Sequence, residues 1–206
     1  ASTLSPAVAG LCPNLNMNGT SATSWSGGDS NDFSFGNGAG VDSAFTIVTL
    51  VSPVDATDCR LVCKVNADAD QAEYDFQIGG DDKLYFLHRS IDNSKYIGRF
   101  YNTAITSDEG SWHVYIGTSA GGSPATMTGI NIYRDGIAVD DNDISSGAYA
   151  GMTNSTASLG SFANFGGSFS YAKAKYGVVC IISKELSAGD CKRISDRLRA
   201  YAGVFI

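Results

Sequence analysis

One dipeptide near the middle of the chain, Asp135-Gly136, limits what can form around it. Both central residues of a two-residue type I′ turn need positive φ, and Asp-Gly is among the few pairs that accept it. Ile130-Asn131-Ile132-Tyr133-Arg134 leads into the dipeptide and Ile137-Ala138-Val139 leads out. Counting outward, Arg134 faces Ile137, Tyr133 faces Ala138 and Ile132 faces Val139. Upstream, beyond a loop rich in Gly, Ser and Thr, Trp112-His113-Val114-Tyr115-Ile116 alternates in the same way. Period-two alternation of β-branched and aromatic residues marks half-buried strands. The stretch from Ser111 to Val139 is therefore read as strands closed by a hairpin. Trp112, Val114, Ile130 and Ile132 are assigned to the core side, and His113, Tyr115, Asn131 and Tyr133 to the outer side.

The remaining chain continues this pattern. Asp32-Phe33-Ser34-Phe35 opens it, and Phe45 to Val51 is apolar on both faces, which predicts a central strand. Leu61–Val65, Tyr74–Ile78, Leu84–His88 and Tyr96–Tyr101 follow at the spacing of an antiparallel sandwich, with Gly79-Gly80-Asp81-Asp82 as a turn. One helix is predicted near the end. Ser187-Ala188-Gly189-Asp190 resembles a capping box, Cys191, Ile194, Leu198 and Tyr201 fall on one side, and Gly203 suits the stop. Ala1 to Gly28 holds Pro6, Pro13 and isolated apolar residues, so residues 1–28 are read as an extended arm with room for one short strand, and 29–206 as the sandwich. Leu4, Val8, Leu11 and Leu15 would anchor that arm on a neighbouring subunit.

Charge and cysteine content exclude several classes. With a formal charge of −7 and a pI of about 4.6, the chain repels phosphate backbones and anionic bilayers, so neither nucleic acid nor membrane is an expected partner. No apolar run is long enough to span a bilayer. Five cysteines leave at least one unpaired. Cys59 and Cys63, four apart in one strand, would lie about 13 Å from each other on a shared face with Leu61 and Val65, too far to bridge. All five are expected as reduced thiols, most of them small buried hydrophobes, Cys180 in an apolar strand and Cys191 on the helix's apolar side. With no CxxC pair and two histidines, zinc is not expected.

The order of these motifs resembles the laminin-G-like, concanavalin A-like jelly rolls. The Trp-His strand, the Tyr133-Arg134-Asp135-Gly136 turn, Ala157-Ser158-Leu159-Gly160, the strand Tyr176–Ile182 and the Lys184-Glu185-Leu186-Ser187 entry to a helix carry it, over roughly Phe33 to Ala202. The resemblance implies an all-β fold: an antiparallel two-sheet jelly-roll sandwich with one C-terminal α-helix. Domains of this kind occur in phage virion proteins and in carbohydrate-active proteins. The implied function is a non-catalytic structural or adhesion protein of a virion, capsid decoration or tail fibre, whose partners are other virion subunits or copies of itself. The alternative is an extracellular glycan-binding module of a secreted carbohydrate-active protein.

Candidate sites follow from the same residues. Hydrolases of this fold carry Glu-x-Asp-x-Glu on their catalytic strand to hold two carboxylates at working distance. Here Glu73-Tyr74-Asp75 is followed by Gln77 where the third acid would stand, so the chain is read as no enzyme and the pair as a solvated strand face. Neither His88 nor His113 is accompanied by a Gly-x-Ser-x-Gly turn. His113, Tyr115, Asn131 and Tyr133, flat rings with an amide, form the candidate site for a cell-surface glycan. Trp25 and Trp112 read as core or seam. No cofactor is expected apart from Ca2+, for which Asp140, Asp141 and Asp143 form an oxygen-rich cluster, as do Asp29-Ser30-Asn31-Asp32. A solvated acidic turn is the competing reading of each.

Overall fold

In the computed structural model, which describes residues 15–19, 24–66, 71–90, 95–165 and 168–203, two antiparallel sheets stack face to face and one helix covers the smaller. In chain order the strands are β1 (Leu15–Asn16), β2 (Ser26–Gly28), β3 (Phe45–Pro53), β4 (Cys59–Asn66), β5 (Gln71–Ile78) and β6 (Leu84–Arg89). Next come β7 (Tyr96–Phe100), β8 (His113–Ser119), β9 (Ile130–Arg134), β10 (Ile137–Ala138) and β11 (Asn142–Ser146). The last are β12 (Leu159–Gly160), β13 (Phe162–Phe165), β14 (Ser168–Tyr171) and β15 (Ala174–Ile182), followed by helix α1 (Ala188–Gly203). The smaller sheet runs β1-β15-β3-β8-β9-β10 and the larger β11-β7-β6-β5-β4-β12-β2, with the β13–β14 hairpin set beside β4. The antiparallel sandwich with a C-terminal helix is the fold the sequence predicts.

Aromatic packing fills the interior. Phe35 stacks on Phe45 at 4.2 Å, Tyr74 leans on Phe45 at 5.2 Å, and Phe86 meets Phe45 edge-on at 5.7 Å. Ile47, Tyr115, Ile130 and Ile132 of the smaller sheet meet Leu61, Phe76, Ile78 and Leu84 of the larger. Each such side chain contributes about 1.5–3 kcal/mol by leaving water. β3 is buried on both faces, as predicted, because its other face joins a second cluster with Val114, Ile116, Tyr133, Leu186, Cys191 and Ala202 beneath α1. Trp112 lies part-buried at this second cluster and Trp25 at the first, both at seams.

The hairpin is as expected: Asp135 and Gly136 have φ of 54° and 82°, and Arg134 pairs with Ile137. Its two faces are not. The β8–β9 register sets Gly117 against Ile132 and Tyr115 against Arg134, so Ile132 shares the interior face with Tyr115, not with Val114. Val114 and Ile116 instead share the helix-covered face with Tyr133. Paired residues lie on one face, and the loop between the strands leaves their relative parity open to either choice.

Other expectations are corrected in similar ways. The arm does not extend to residue 28. Leu15 pairs with Tyr176 at the edge of the smaller sheet, Met17 is fully buried in the core, and β2 pairs with β12 at the edge of the larger. Strands of two or three residues are too short to show a period, and their order comes from longer partners. Leu4, Val8 and Leu11 lie outside the described residues. In β4 a bulge between Arg60 and Val62 resets the alternation, so Cys59 faces the interior while Cys63 packs with Val65, Ala72 and Ala163 on the other side. Cys59, Cys63, Cys180 and Cys191 are free thiols, and Cys180 is exposed, not buried, on β15.

Helix α1 starts as predicted. Ser187 Oγ accepts a hydrogen bond from the Asp190 amide at 3.2 Å and donates to Asp190 Oδ2 at 2.7 Å. Cys191, Ser195 and Ala202 are buried and Ile194 and Leu198 pack part-buried on the same cluster, as predicted for Cys191, Ile194 and Leu198, while Tyr201 is exposed. The hairpin turn accounts for that rotation. A side chain on Gly136 would come within 3.0 Å of Lys192 Cα and 3.2 Å of Ser195 Cβ, so the turn's glycine lies directly against the helix at Lys192 and Ser195.

Candidate functional site

Strand β5 reads Gln71-Ala72-Glu73-Tyr74-Asp75-Phe76-Gln77-Ile78. Tyr74, Phe76 and Ile78 point into the core, which directs Asp75 and Gln77 to the outer face of the larger sheet, while the register shift between Lys64 and Val65 leaves Glu73 at a bulge. The expected solvated pair is absent: Glu73 and Asp75 are both fully buried. Burial of a carboxylate is tolerated only with compensating charge and hydrogen bonds, and each has a full set. Glu73 accepts from Ser34 Oγ (2.9 Å), the Phe35 amide (3.2 Å) and both the amide and hydroxyl of Ser155 (2.9 Å each), and it pairs with buried Lys64 at 2.9 Å. Lys64 also reaches Asp29 at 3.1 Å, so that acid of the first oxygen-rich cluster pairs with a lysine. Asp75 accepts from Arg60 and Arg89, both at 3.0 Å, and from the Cys63 thiol at 2.9 Å. Burial alone would raise the Asp75 pKa, but the two guanidiniums hold it below the ordinary carboxylate value. Burial, reinforced by the Asp75 charge, pushes the Cys63 thiol well above its usual pKa.

Gln77 completes the row. It is 8% exposed, and its Oε1 is buried with no hydrogen-bond donor in reach. Half-buried rings line the same face, Tyr85 directly opposite Gln77 and Tyr96 two rows along the strands. Tyr85 stacks on Phe100 at 5.1 Å, Lys83 Nζ lies 5.5 Å from the Phe100 centroid, and the Arg89 guanidinium covers Tyr96 at 5.4 Å. An unsatisfied acceptor costs about 1–3 kcal/mol unless a partner supplies a proton. Aromatic faces beside convergent polar groups are the chemistry that receives a sugar ring and its hydroxyls. On this strand both acids are bound to cations and Gln77 has no proton to give, so the row offers no carboxylate free to act as acid or base. Sequence reasoning passed over this face. The signal was present in the alternate positions of three strands (Asp75 and Gln77, Tyr85 and Leu87, Tyr96 and Phe100) and needed only their register.

The residues singled out from sequence do not converge. Tyr115 is fully buried on the interior face and donates to Asp108 Oδ2 at 2.7 Å. His113, on the same strand face, sits 2.7 Å from Asp135 Oδ2 through Nδ1. Tyr133 is buried on the opposite face under the helix cluster, and Asn131 donates to Thr118 at 3.4 Å. The four therefore do not form one outer surface. Asp140 and Asp143 both pair with Arg99, Asp143 at 2.9 Å, and Asp140 Oδ1 also accepts from the Ile132 amide at 3.1 Å. Asp141 Oδ1 caps the Asn102 amide at 2.8 Å. A guanidinium stands where the candidate cation would, and among the described residues no three acids, histidines or cysteines are grouped to hold a metal. Asp140 and Asp141 instead border a surface cavity of about 430 Å³ with Tyr101, Ile137 and Val139.

No protein-family model and no curated protein sequence matches this chain. Solved structures do match. A structure titled for the dependence of botulinum neurotoxin type C cell entry on two ganglioside molecules aligns at TM-score 0.64 and 12% identity, over 96% of this chain and 45% of that one. The binding domain of botulinum neurotoxin DC, in complex with rat synaptotagmin II, aligns with the same values. The binding domain of Paraclostridial Mosquitocidal Protein 1 aligns at TM-score 0.62 and 10% identity, over 90% of this chain and 43% of that one. The chain thus spans less than half the length of each, and what is shared at these identities is the fold.

Proposed function

We propose that this domain is a non-catalytic glycan-binding module whose ligand lies on the outer face of the larger sheet. The observation that carries the reading is Gln77, a buried amide whose oxygen has no partner, set in one row with the rings of Tyr85 and Phe100, with Arg89 and Tyr96 two rows along the same face. A sugar whose C–H face rests on a half-buried ring would give its hydroxyl to Gln77 once that side chain turns outward. The matched structures include binding domains, one of them in complex with rat synaptotagmin II, and a structure of a toxin whose cell entry depends on two ganglioside molecules. They support attachment to a cell surface as the kind of task this fold serves, without locating those contacts in the matched half. The setting that follows is extracellular. Its more specific form is the surface of a virion, where other virion subunits or a second copy would be the structural partners and a host glycan the target.

The test is binding to an array of neutral and acidic glycans, followed by titration of the best binder with Gln77→Leu and Phe100→Ala. Both substitutions should weaken binding at least about tenfold while the melting temperature stays close to that of the parent. Full affinity in both variants would remove this face from the function.

A further inference from the structure

Independently of the outer face, we infer that the rim cleft beside the β9–β10 hairpin is a second binding site, for an uncharged sugar. The cleft has a volume of about 430 Å³ and is lined by Tyr101, Ile137, Ala138, Val139, Asp140 and Asp141. Small-molecule sites usually hold about 300–1,000 Å³. Unlike the buried row of Asp75 and Gln77, its walls meet solvent. Ile137 is 69% exposed, more than any other large apolar side chain among the described residues. Tyr101 and Val139 are half-buried and pack on the main core, which holds them in place. A ring and two aliphatic side chains around a hollow make a surface on which the C–H face of a sugar can rest.

The polar groups of the cleft are already oriented. The Val139 amide donates to Ile132 O at 2.8 Å and the Asp141 amide to Val139 O at 2.9 Å, which fixes the turn. Asp140 has both oxygens occupied, Oδ1 by the Ile132 amide at 3.1 Å and Oδ2 by Arg99. Asp141 Oδ1 accepts from the Asn102 amide at 2.8 Å and from Asn142 Nδ2 at 3.0 Å. Asp141 Oδ2 and the Tyr101 hydroxyl make no hydrogen bond among the described residues. The cleft thus offers one held acceptor and one phenol that both donates and accepts. A sugar hydroxyl also does both, whereas an ammonium only donates and a carboxylate only accepts. Asp140, Asp141 and Asp143 outnumber Arg99, so an acidic sugar meets net negative charge.

The probes are the methyl glycosides of galactose, glucose, mannose and N-acetylglucosamine, and those of galacturonic and glucuronic acid, titrated into isotope-labelled protein. With at least one neutral glycoside the amide signals of Asn102, Asp141 and Asn142 should shift in saturable fashion, with an affinity about tenfold or more above that of either acid. Asp141→Ala should weaken this binding about tenfold, and Ile137→Ala, whose exposed side chain takes no part in the core, about threefold. Gln77→Leu should leave the three shifts unchanged. If no neutral glycoside moves these amides, or both cleft variants bind like the parent, the cleft is overturned while the outer-face reading stands. Shifts lost in Gln77→Leu as well would overturn the independence of the two sites. An acidic glycoside, or N-acetyl-lysine methylamide, that binds the cleft as tightly as the best neutral sugar overturns the ligand class.

Discussion

The sandwich has two outer faces made from strands of similar length and similar alternation, and they are finished in opposite ways. On the smaller sheet, Val48, Leu50, Val114, Ile116 and Tyr133 lie under α1 and join Leu186 and Cys191 in a second apolar core. On the larger sheet the corresponding positions are Arg60, Asp75, Gln77, Arg89, Tyr96 and Phe100. Apolar residues there would have required a second helix, and an open apolar face of that size invites association. The larger sheet instead covers itself with its own ion pairs and rings. Its charged groups are nearly as buried as the leucines opposite, with Arg60 and Arg89 each 8% exposed. The smaller sheet's face is covered by α1. The other holds charges whose net contribution to stability is small and buries one acceptor that has no partner.

The sharpest way to break this contrast is to remove the charge at the centre of the polar face. Asp75→Ala removes the fully buried carboxylate that Arg89 and Arg60 share, Arg60 keeping Asp58 at 3.0 Å, and the expected loss is about 3–5 kcal/mol in urea unfolding. A loss under about 1 kcal/mol would mean that the arginines are in effect solvated and that the face is ordinary surface. The apolar face should respond by volume. Ile116→Ala, under the helix, is expected to cost about 2–5 kcal/mol while the remaining folded protein binds its ligand unchanged. A variant that kept its stability but lost the ligand would place the binding site on the wrong sheet.

Between the faces, His88 provides a third probe. Its ring is fully buried, stacks on Phe45 at 5.4 Å, and neither nitrogen has a hydrogen-bond partner. Burial, opposed by the charge of Asp42, lowers its pKa from 6.5 to about 4. The folded state thus holds the neutral ring while the unfolded chain takes up a proton below about pH 6.5. This group adds no pH dependence above that pH, and stability falls by up to about 3 kcal/mol as the pH drops from 6.5 to about 4, flattening below. Melting curves across that window should show less decline in His88→Phe than in the parent. Identical slopes would show that other groups govern the acid limb.

The smallest expected effect is the most informative about function. Gln77→Leu removes a buried acceptor that has no partner, so stability should stay the same or rise by about 1 kcal/mol even as binding is lost. A marked fall in melting temperature would reveal a hidden structural partner and turn Gln77 into a framework residue.

Parts of this were legible beforehand because they depend on neighbours in sequence. The Asp135-Gly136 turn needs two residues that accept positive φ, and both adopt it. Ser187 caps a helix that begins where its hydroxyl can meet the Asp190 amide. The apolar run of β3 fits only a strand covered on both sides, and it is so covered. Even the larger sheet's strands could be placed from their periods. What could not be read was how one segment meets another.

Local chemistry therefore determined the turn, the cap, the strands and the class of sandwich. Tertiary structure decided which face each side chain occupies and which charges are buried. The loop between β8 and β9 fits either parity, and pairing with Gly117 and Tyr115 chose the one that buried Tyr115 and sent Tyr133 under the helix. The bulge after Arg60 then separated Cys63 from Cys59. Glu73 and Asp75 look like solvated acids because the cations that allow their burial, Lys64, Arg60 and Arg89, come from β4 and β6. A carboxylate's environment is set by what lies a few ångströms away in space, and in an antiparallel sandwich those neighbours are remote in sequence.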